Sequence, residues 1–391
     1  MKLPVFRTAH QYVHGIGLRF IALLAKFAFL MLIVPMLPDQ VYAQYLFLFT
    51  MALIVARVLS LGAEEHLPIM VGRDQGLAES YMPLFVISSV AAVVAAGAHI
   101  ATGEIYLIIA AVVAQLAAGW VLGGLVRSHA PHVFERLLNL PVVIFVAACF
   151  VWPPTSLSQL FLYYFATGLL VQLAIAANAG AFRRGRFDRM TTAIPALLNS
   201  LLPGLAKTTS NILVVMNSRA PVVLPGLMLG VVVSDATALA VSIAEAVWQI
   251  GMVISMRNYA AYCRGEAGLR RMKITCAASF TALVLLAIPL LLIPLPISIP
   301  KIDGPMIGWA LILMGALLVL MEARYYVWAQ RKGTVEVLAI QAALIAGDAA
   351  IVWLLDQHQW LPAMALFNAF CAMLFMVLAA VFYRNQGHET P

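Results

Sequence analysis

Apolar residues run along this chain in blocks of about twenty, separated by short polar breaks, rather than alternating at strand or surface-helix period. A helix needs about 20 mostly apolar residues to cross a bilayer. Twelve segments meet that demand, at 16–37, 41–62, 80–101, 105–126, 138–153, 157–178, 193–216, 235–256, 274–299, 304–326, 334–355 and 360–383. The stretch 221–233 (PVVLPGLMLGVVV) is apolar but too short to span, and reads as a re-entrant or helix-extending piece between spans seven and eight. The pattern predicts an all-α polytopic membrane protein with about twelve transmembrane helices.

Composition agrees. Of 391 residues, 63% are hydrophobic and 10% charged, with a mean hydropathy of +0.95. A soluble domain carries about 25% charged residues, so soluble enzymes are excluded. The net charge of +7 does not point to nucleic acid, because the basic residues lie scattered through short loops without interleaved aromatics. The four cysteines have no metal or redox spacing, and the start, MKLPVFRTAHQYVHG, does not read as a signal peptide. GLAKTT at 204–209 lacks the upstream glycines of a phosphate-binding loop, so no ATPase activity is expected.

Charge between the spans sets the orientation. With the N-terminus inside, seventeen Lys and Arg fall in cytoplasmic segments and only two, Arg219 and Lys301, in outer loops. The positive-inside rule then places both termini in the cytoplasm. No loop is long enough to form a separate folded domain.

Six spans precede the arginine-rich segment FRRGRFDR and six follow it. Residues 1–181 are expected to form an N-terminal bundle, 182–192 a basic cytoplasmic linker, and 193–391 a C-terminal bundle. The first span of each half carries a similar phrase, LLAK at 23–26 and GLAK at 204–207. Two six-helix halves around a midplane site are a common transporter plan. Two GxxxG matches, Gly119 to Gly123 and Gly226 to Gly230, suit helix packing within or between chains.

The opening GLRFIALLAKFAFLMLIVPMLPDQVYAQYLFLFTMALIVARVLSLGAEEHLPIMVGRD resembles bacterial polysaccharide transporters. These are the O-antigen-type flippases of the multidrug/oligosaccharidyl-lipid/polysaccharide (MOP) exporter superfamily. The resemblance rests on a first helix ending in Leu-Pro, an acid, the pair Tyr42 and Tyr45, and a second helix ending Ser-Leu-Gly before a basic loop. SDATALAVSIAEAVWQIGMVISMRNYAAY at 234–262 echoes it in the second half. It implies two pseudo-symmetric bundles around a central cavity lined by spans one, two, seven and eight. It also implies export of a polyprenyl-pyrophosphate-linked oligosaccharide across the bacterial inner membrane by alternating access, for surface polysaccharide synthesis. Surrounding membrane lipids and polysaccharide polymerase machinery are the further partners implied.

A charge at the centre of a span costs about 2.5–3.5 kcal/mol on insertion scales and marks a candidate site. Arg19, Lys26, Arg57 and Lys207 fall within spans one, two and seven, and Asn211 lies on the polar stripe of Lys207. Arg offers a fork of donors and Lys a point charge, which suits a pyrophosphate. Glu245 and Asp348 are the candidates for coupling to H+ or Na+, with Gln341 on the face of Asp348; no other cofactor is expected. Structural alternatives stand beside these roles: an ion pair between Lys207 and Glu245, snorkelling of Arg19 and Arg57 at helix ends, and a hydrogen-bonded acid at Asp348. Arg324, with Glu322, Tyr325, Tyr326 and Trp328, reads as an interfacial belt. The rival functions are a cation-coupled multidrug exporter and a membrane-embedded acyltransferase or polymerase; a drug exporter would want an acidic cavity. No catalytic residue is identified.

Overall fold

The computed structural model describes residues 17–60, 82–127, 131–178, 205, 208–263, 267–292, 301–329 and 334–382. The described residues are helical, with no strand. In order they form α1 (Gly17–Met36), α2 (Val41–Leu59), α3 (Met82–Thr102), α4 (Ile105–Arg127), α5 (Pro131–Val151) and α6 (Leu157–Asn178). There follow α7 (Thr208–Ser218), α8 (Ala220–Leu229), α9 (Asp235–Cys263), α10 (Leu269–Leu292), α11 (Gly304–Ala329), α12 (Thr334–Leu354) and α13 (Trp360–Phe382). Eleven are long and apolar enough to cross a membrane by themselves, and α7 with α8 makes a twelfth if the bent pair counts as one span.

That bent pair agrees with the sequence reading of 221–233 as a re-entrant or helix-extending piece, its second helix covering Ala220–Leu229. The two helices meet at 92°. Arg219 stands at the break with φ −117° and ψ 15°, its N–H ending the first helix on Val215 O and its carbonyl starting the second through Val222 and Val223. Pro221 fits the first turn of the new helix, where its missing N–H would have no partner anyway. Gly230 ends α8 in the left-handed region, φ 65°, which a residue without Cβ enters at no steric cost.

Pro35 has a comparable effect on α1. It supplies no donor to the turn behind it, and the helix widens to π geometry over Phe29–Ile33 before tightening to 3₁₀ over Val34–Met36. Leu37, ahead of Pro38, is extended.

The helices gather into two compact units. The first comprises Met1–Val41 and Leu48–Ile212, the second Tyr42–Phe47 and Leu213–Pro391. Within the first, α4 is the interior helix: 61% of its most apolar stretch is buried, against 22% for α3. Val121, Leu122, Phe134, Leu137 and Val171 pack together around it. Gln115 and Gln172 cross this core reciprocally, the first against Gly168 and the second against Gly119, with Gln172 donating to the Gln115 carbonyl at 3.1 Å. Gly123 faces Phe134, and Gly226 faces Phe47, so three of the four glycines in the GxxxG matches seat side chains of this same chain.

In the second unit α11 is interior, 83% buried over its most apolar stretch, whereas α10, equally apolar, is 17% buried. A helix that is hydrophobic all round can serve either place, so its neighbours decide. Val94, Leu285, Leu292 and Phe370 stay on the outside, as lipid-facing side chains do.

Candidate functional site

Two acidic side chains, two basic ones and a tyrosine come together in the second unit where α2, α8, α9 and the approach to α11 converge. Arg219, at the corner between α7 and α8, forks onto Glu245 of α9: Nη2 lies 3.0 Å from each carboxylate oxygen and Nε 3.3 Å from Oε2. Both side chains are about nine-tenths buried. Nearly three turns earlier on α9, Asp235 receives Lys301 Nζ at 2.9 Å through one oxygen and the Ala43 N–H at 2.9 Å through the other. That amide belongs to the first turn of α2, where helix N–H groups have no partner within the helix, so Asp235 caps a helix other than its own. Tyr42 donates to Ser242 Oγ at 2.7 Å. Gln40 and Lys301, flanking this contact in sequence, take the left-handed conformation, φ 64° and 65°, at a cost of about 1–3 kcal/mol each.

Counting charges by side had put Arg219 and Lys301 in outer loops; the structure makes Arg219 a buried corner residue instead. The available signal was its position between two apolar runs, 212–216 and 220–229, followed by Pro221. Nothing local signals Asp235–Lys301, because the partners lie 66 residues apart. Glu245 is therefore held by Arg219; Lys207, considered from sequence as its partner, lies outside the described residues, as does the 182–192 linker. Asn211 is part-buried on α7.

Arg19 and Arg57 of the first unit have partners of two kinds. Arg19 forms a two-pronged ion pair with Glu135 of α5, and Asn139 donates to the same carboxylate at 3.2 Å. Arg57, in the last turn of α2, stacks on the Trp120 ring with its guanidinium carbon 4.9 Å from the centroid, a cation–π contact. Lys26 is part-buried on α1.

Asp348 is fully buried on α12. One oxygen accepts Asn368 Nδ2 of α13 at 2.8 Å, while the other, and the Asn368 amide oxygen, have no hydrogen-bond partner among the described residues. Two turns before Asp348, the Gln341 carbonyl accepts Asn217 Nδ2 at 3.4 Å. Gly347 allows this approach of α12 and α13: a Cβ there would fall 2.2 Å from the Phe367 ring. Gly347→Ala is expected to force the helices apart and lower stability by about 1–3 kcal/mol, read as a fall in Tm of the detergent-solubilised protein.

Of the residues assigned from sequence to an interfacial belt, Glu322, Arg324, Tyr325 and Tyr326 are buried and Trp328 is part-buried. Glu322 is 1% and Arg324 3% exposed, because α11 is enclosed by α9, α10 and α13. The Arg324 guanidinium stacks over Trp328 at 4.3 Å and Tyr325 at 5.2 Å.

No protein-family model matches the sequence, and no curated protein matches it. Solved structures do. A multidrug resistance MATE family transporter of the MOP superfamily, in an inward-facing conformation, superposes with TM-score 0.59 at 12% identity over 93% of each chain. The chain has the MATE transporter fold. An outward-facing MATE family transporter of the same superfamily gives TM-score 0.49 at 14% identity, over 96% of this chain and 94% of that one. The broken, charged corner at Arg219 thus sits within a MATE fold, and the MOP-type expectation from the opening hairpins agrees with it at the level of architecture.

Proposed function

We propose that the protein is an alternating-access exporter of a polyprenyl-pyrophosphate-linked oligosaccharide in the bacterial inner membrane, with both termini cytoplasmic and no catalytic activity of its own. The observation that carries this reading is the pairing of the acids on α9. Glu245 and Asp235 are each occupied by a fixed cation of the same unit, Arg219 and Lys301. An organic cation would have to displace a buried Arg or Lys to reach either carboxylate. Lys26, Arg57, Lys207 and Asn211 remain the proposed contacts to an anionic headgroup, with the lipid tail left in the bilayer, whereas Arg19 is already occupied by Glu135. The product would pass to polysaccharide polymerase machinery on the outer face. Asp348, a fully buried acid with one oxygen that has no hydrogen-bond partner among the described residues, is the proposed coupling group for H+ or Na+, in preference to the paired Glu245.

The second reading, a cation-coupled multidrug exporter, is favoured by the fold comparison, since the structural neighbours are described as multidrug resistance transporters. Proteoliposomes separate the two. Purified protein is expected to move a fluorescent short-chain polyprenyl-pyrophosphate sugar between leaflets and to leave a fluorescent organic cation untransported. Lys26→Ala and Lys207→Ala should each slow the lipid by about tenfold or more, the loss of one charge-assisted hydrogen bond. Full rates in both variants would remove the headgroup assignment; cation transport with an inert lipid would move the protein to the drug-exporter reading.

A further inference from the structure

Exposed Lys and Arg side chains are unevenly placed among the described residues. Four of the five, Arg257, Arg270, Arg271 and Lys273, stand at the end of α9 and the start of α10; the fifth is Arg136 on α5. Between residues 246 and 292 the sequence holds five bases and one acid, Glu266, so little on these two helices offsets the four charges. Both helices are long and apolar enough to cross a membrane, over Asp235–Tyr259 and Leu269–Leu292, which puts the four bases at the level of a membrane surface. Asn258, beside Arg257, donates to Thr275 Oγ1 of α10 at 3.0 Å and to Glu322 Oε1 of α11 at 2.8 Å. These bonds tie the end of α9 and the start of α10 together on α11.

Each basic group continues an exposed apolar face. Ile250, Val253, Ile254 and Arg257 recur three or four residues apart on α9, so they share one side of that helix. On α10, Arg270, Lys273 and Ile274 do the same. Ile254 and Ile274 are each more than half exposed. A face that is cationic at the membrane surface and apolar towards the membrane interior matches the two parts of a lipid, a charged headgroup and hydrocarbon chains. A soluble anion would leave the apolar part uncovered. The stems of Arg and Lys lie along apolar surface while their charged ends reach the phosphate level. Anionic headgroups attract such bases at a membrane surface, and guanidiniums hold a phosphate through paired donors. A zwitterionic headgroup carries its own cation, which the four bases repel.

We infer that Arg257, Arg270, Arg271 and Lys273 form a docking surface for an anionic phospholipid, its phosphate on the bases and its chains against Ile254 and Ile274. The bound lipid bridges the end of α9 and the start of α10 within the second unit. This surface shares no residue with the charged corner, with Asp348 or with the proposed substrate contacts. Binding here does not depend on which substrate the protein carries, so a failed transport assay leaves it standing.

The test is native mass spectrometry of the purified full-length protein in detergent, titrated with phosphatidylglycerol or with phosphatidylcholine of the same chains. The wild type is expected to bind phosphatidylglycerol at least about tenfold more tightly, with a preference that shrinks as salt rises. Each charge removed should weaken that binding about fivefold. Arg270→Gln with Lys273→Gln is therefore expected to lose most of the preference, and adding Arg257→Gln and Arg271→Gln should abolish it. The four side chains are exposed, so Tm should hold; the double variant decides should the quadruple one prove unstable. Arg136→Gln should bind as the wild type does. No preference in the wild type, an unchanged preference in the double variant, an equal loss in Arg136→Gln, or displacement of the lipid by soluble glycerol 3-phosphate would each overturn the inference.

Discussion

Arg219→Ala is expected to be the most destabilising single change in the second unit, by about 3–5 kcal/mol, because it leaves the Glu245 carboxylate buried without its cation. The pair is nine-tenths buried and joined through both carboxylate oxygens. The penalty comes from the orphaned acid rather than from the Coulomb energy of the pair, so removing the acid as well should reverse most of it. Arg219→Met with Glu245→Met restores apolar volume and is expected to recover most of the lost Tm. Glu245→Gln should rescue Arg219→Ala in part. Thermal unfolding of the four proteins in one detergent measures this. A drop in the single variant that persists unchanged in the double would mean that Arg219 acts only through the corner backbone, whose carbonyl starts α8.

Asp348→Asn is expected to separate stability from function. The carboxyl has one oxygen on Asn368 and one with no hydrogen-bond partner among the described residues, at zero exposure. An amide of the same shape removes a costly buried acid, so Tm should stay level or rise by up to about 2 kcal/mol equivalent. If Asp348 is the coupling group, the same variant should lose its response to an imposed proton or sodium gradient, with lipid movement falling to the downhill rate. Gradient-driven transport equal to wild type would assign Asp348 a structural place between α12 and α13 alone. A fall in Tm together with lost transport would point the same way, since the defect would then be one of folding.

The twelve-span pattern was legible because a bilayer sets the length and apolarity of a crossing helix, and both are properties of a contiguous segment. Isolated charges within spans were legible too, because each is rare. Their partners were not. Arg19 meets Glu135 across 116 residues, and Tyr42 meets Ser242 across 200. Glu322 and Arg324 were read as belt residues since a charge and three aromatics near a helix end look alike whether they face lipid headgroups or a neighbouring helix. The bend at Arg219 was half legible: Pro221 and the apolar run after it gave a helix start, but nothing in them specified its 92° turn.

By itself the sequence determined that this is an all-helical, multi-spanning chain, which segments form its helices, and which charged residues need a reason to lie among them. Tertiary structure alone decided that α11 is interior and α10 peripheral, that Glu245 answers to Arg219, and that Asp235 caps a distant helix while holding Lys301. The physical reason is one of range. Backbone hydrogen bonding and transfer from water to lipid are settled within twenty residues, whereas a buried charge is settled by whichever opposite charge or dipole the packing of helices brings to within about 3 Å.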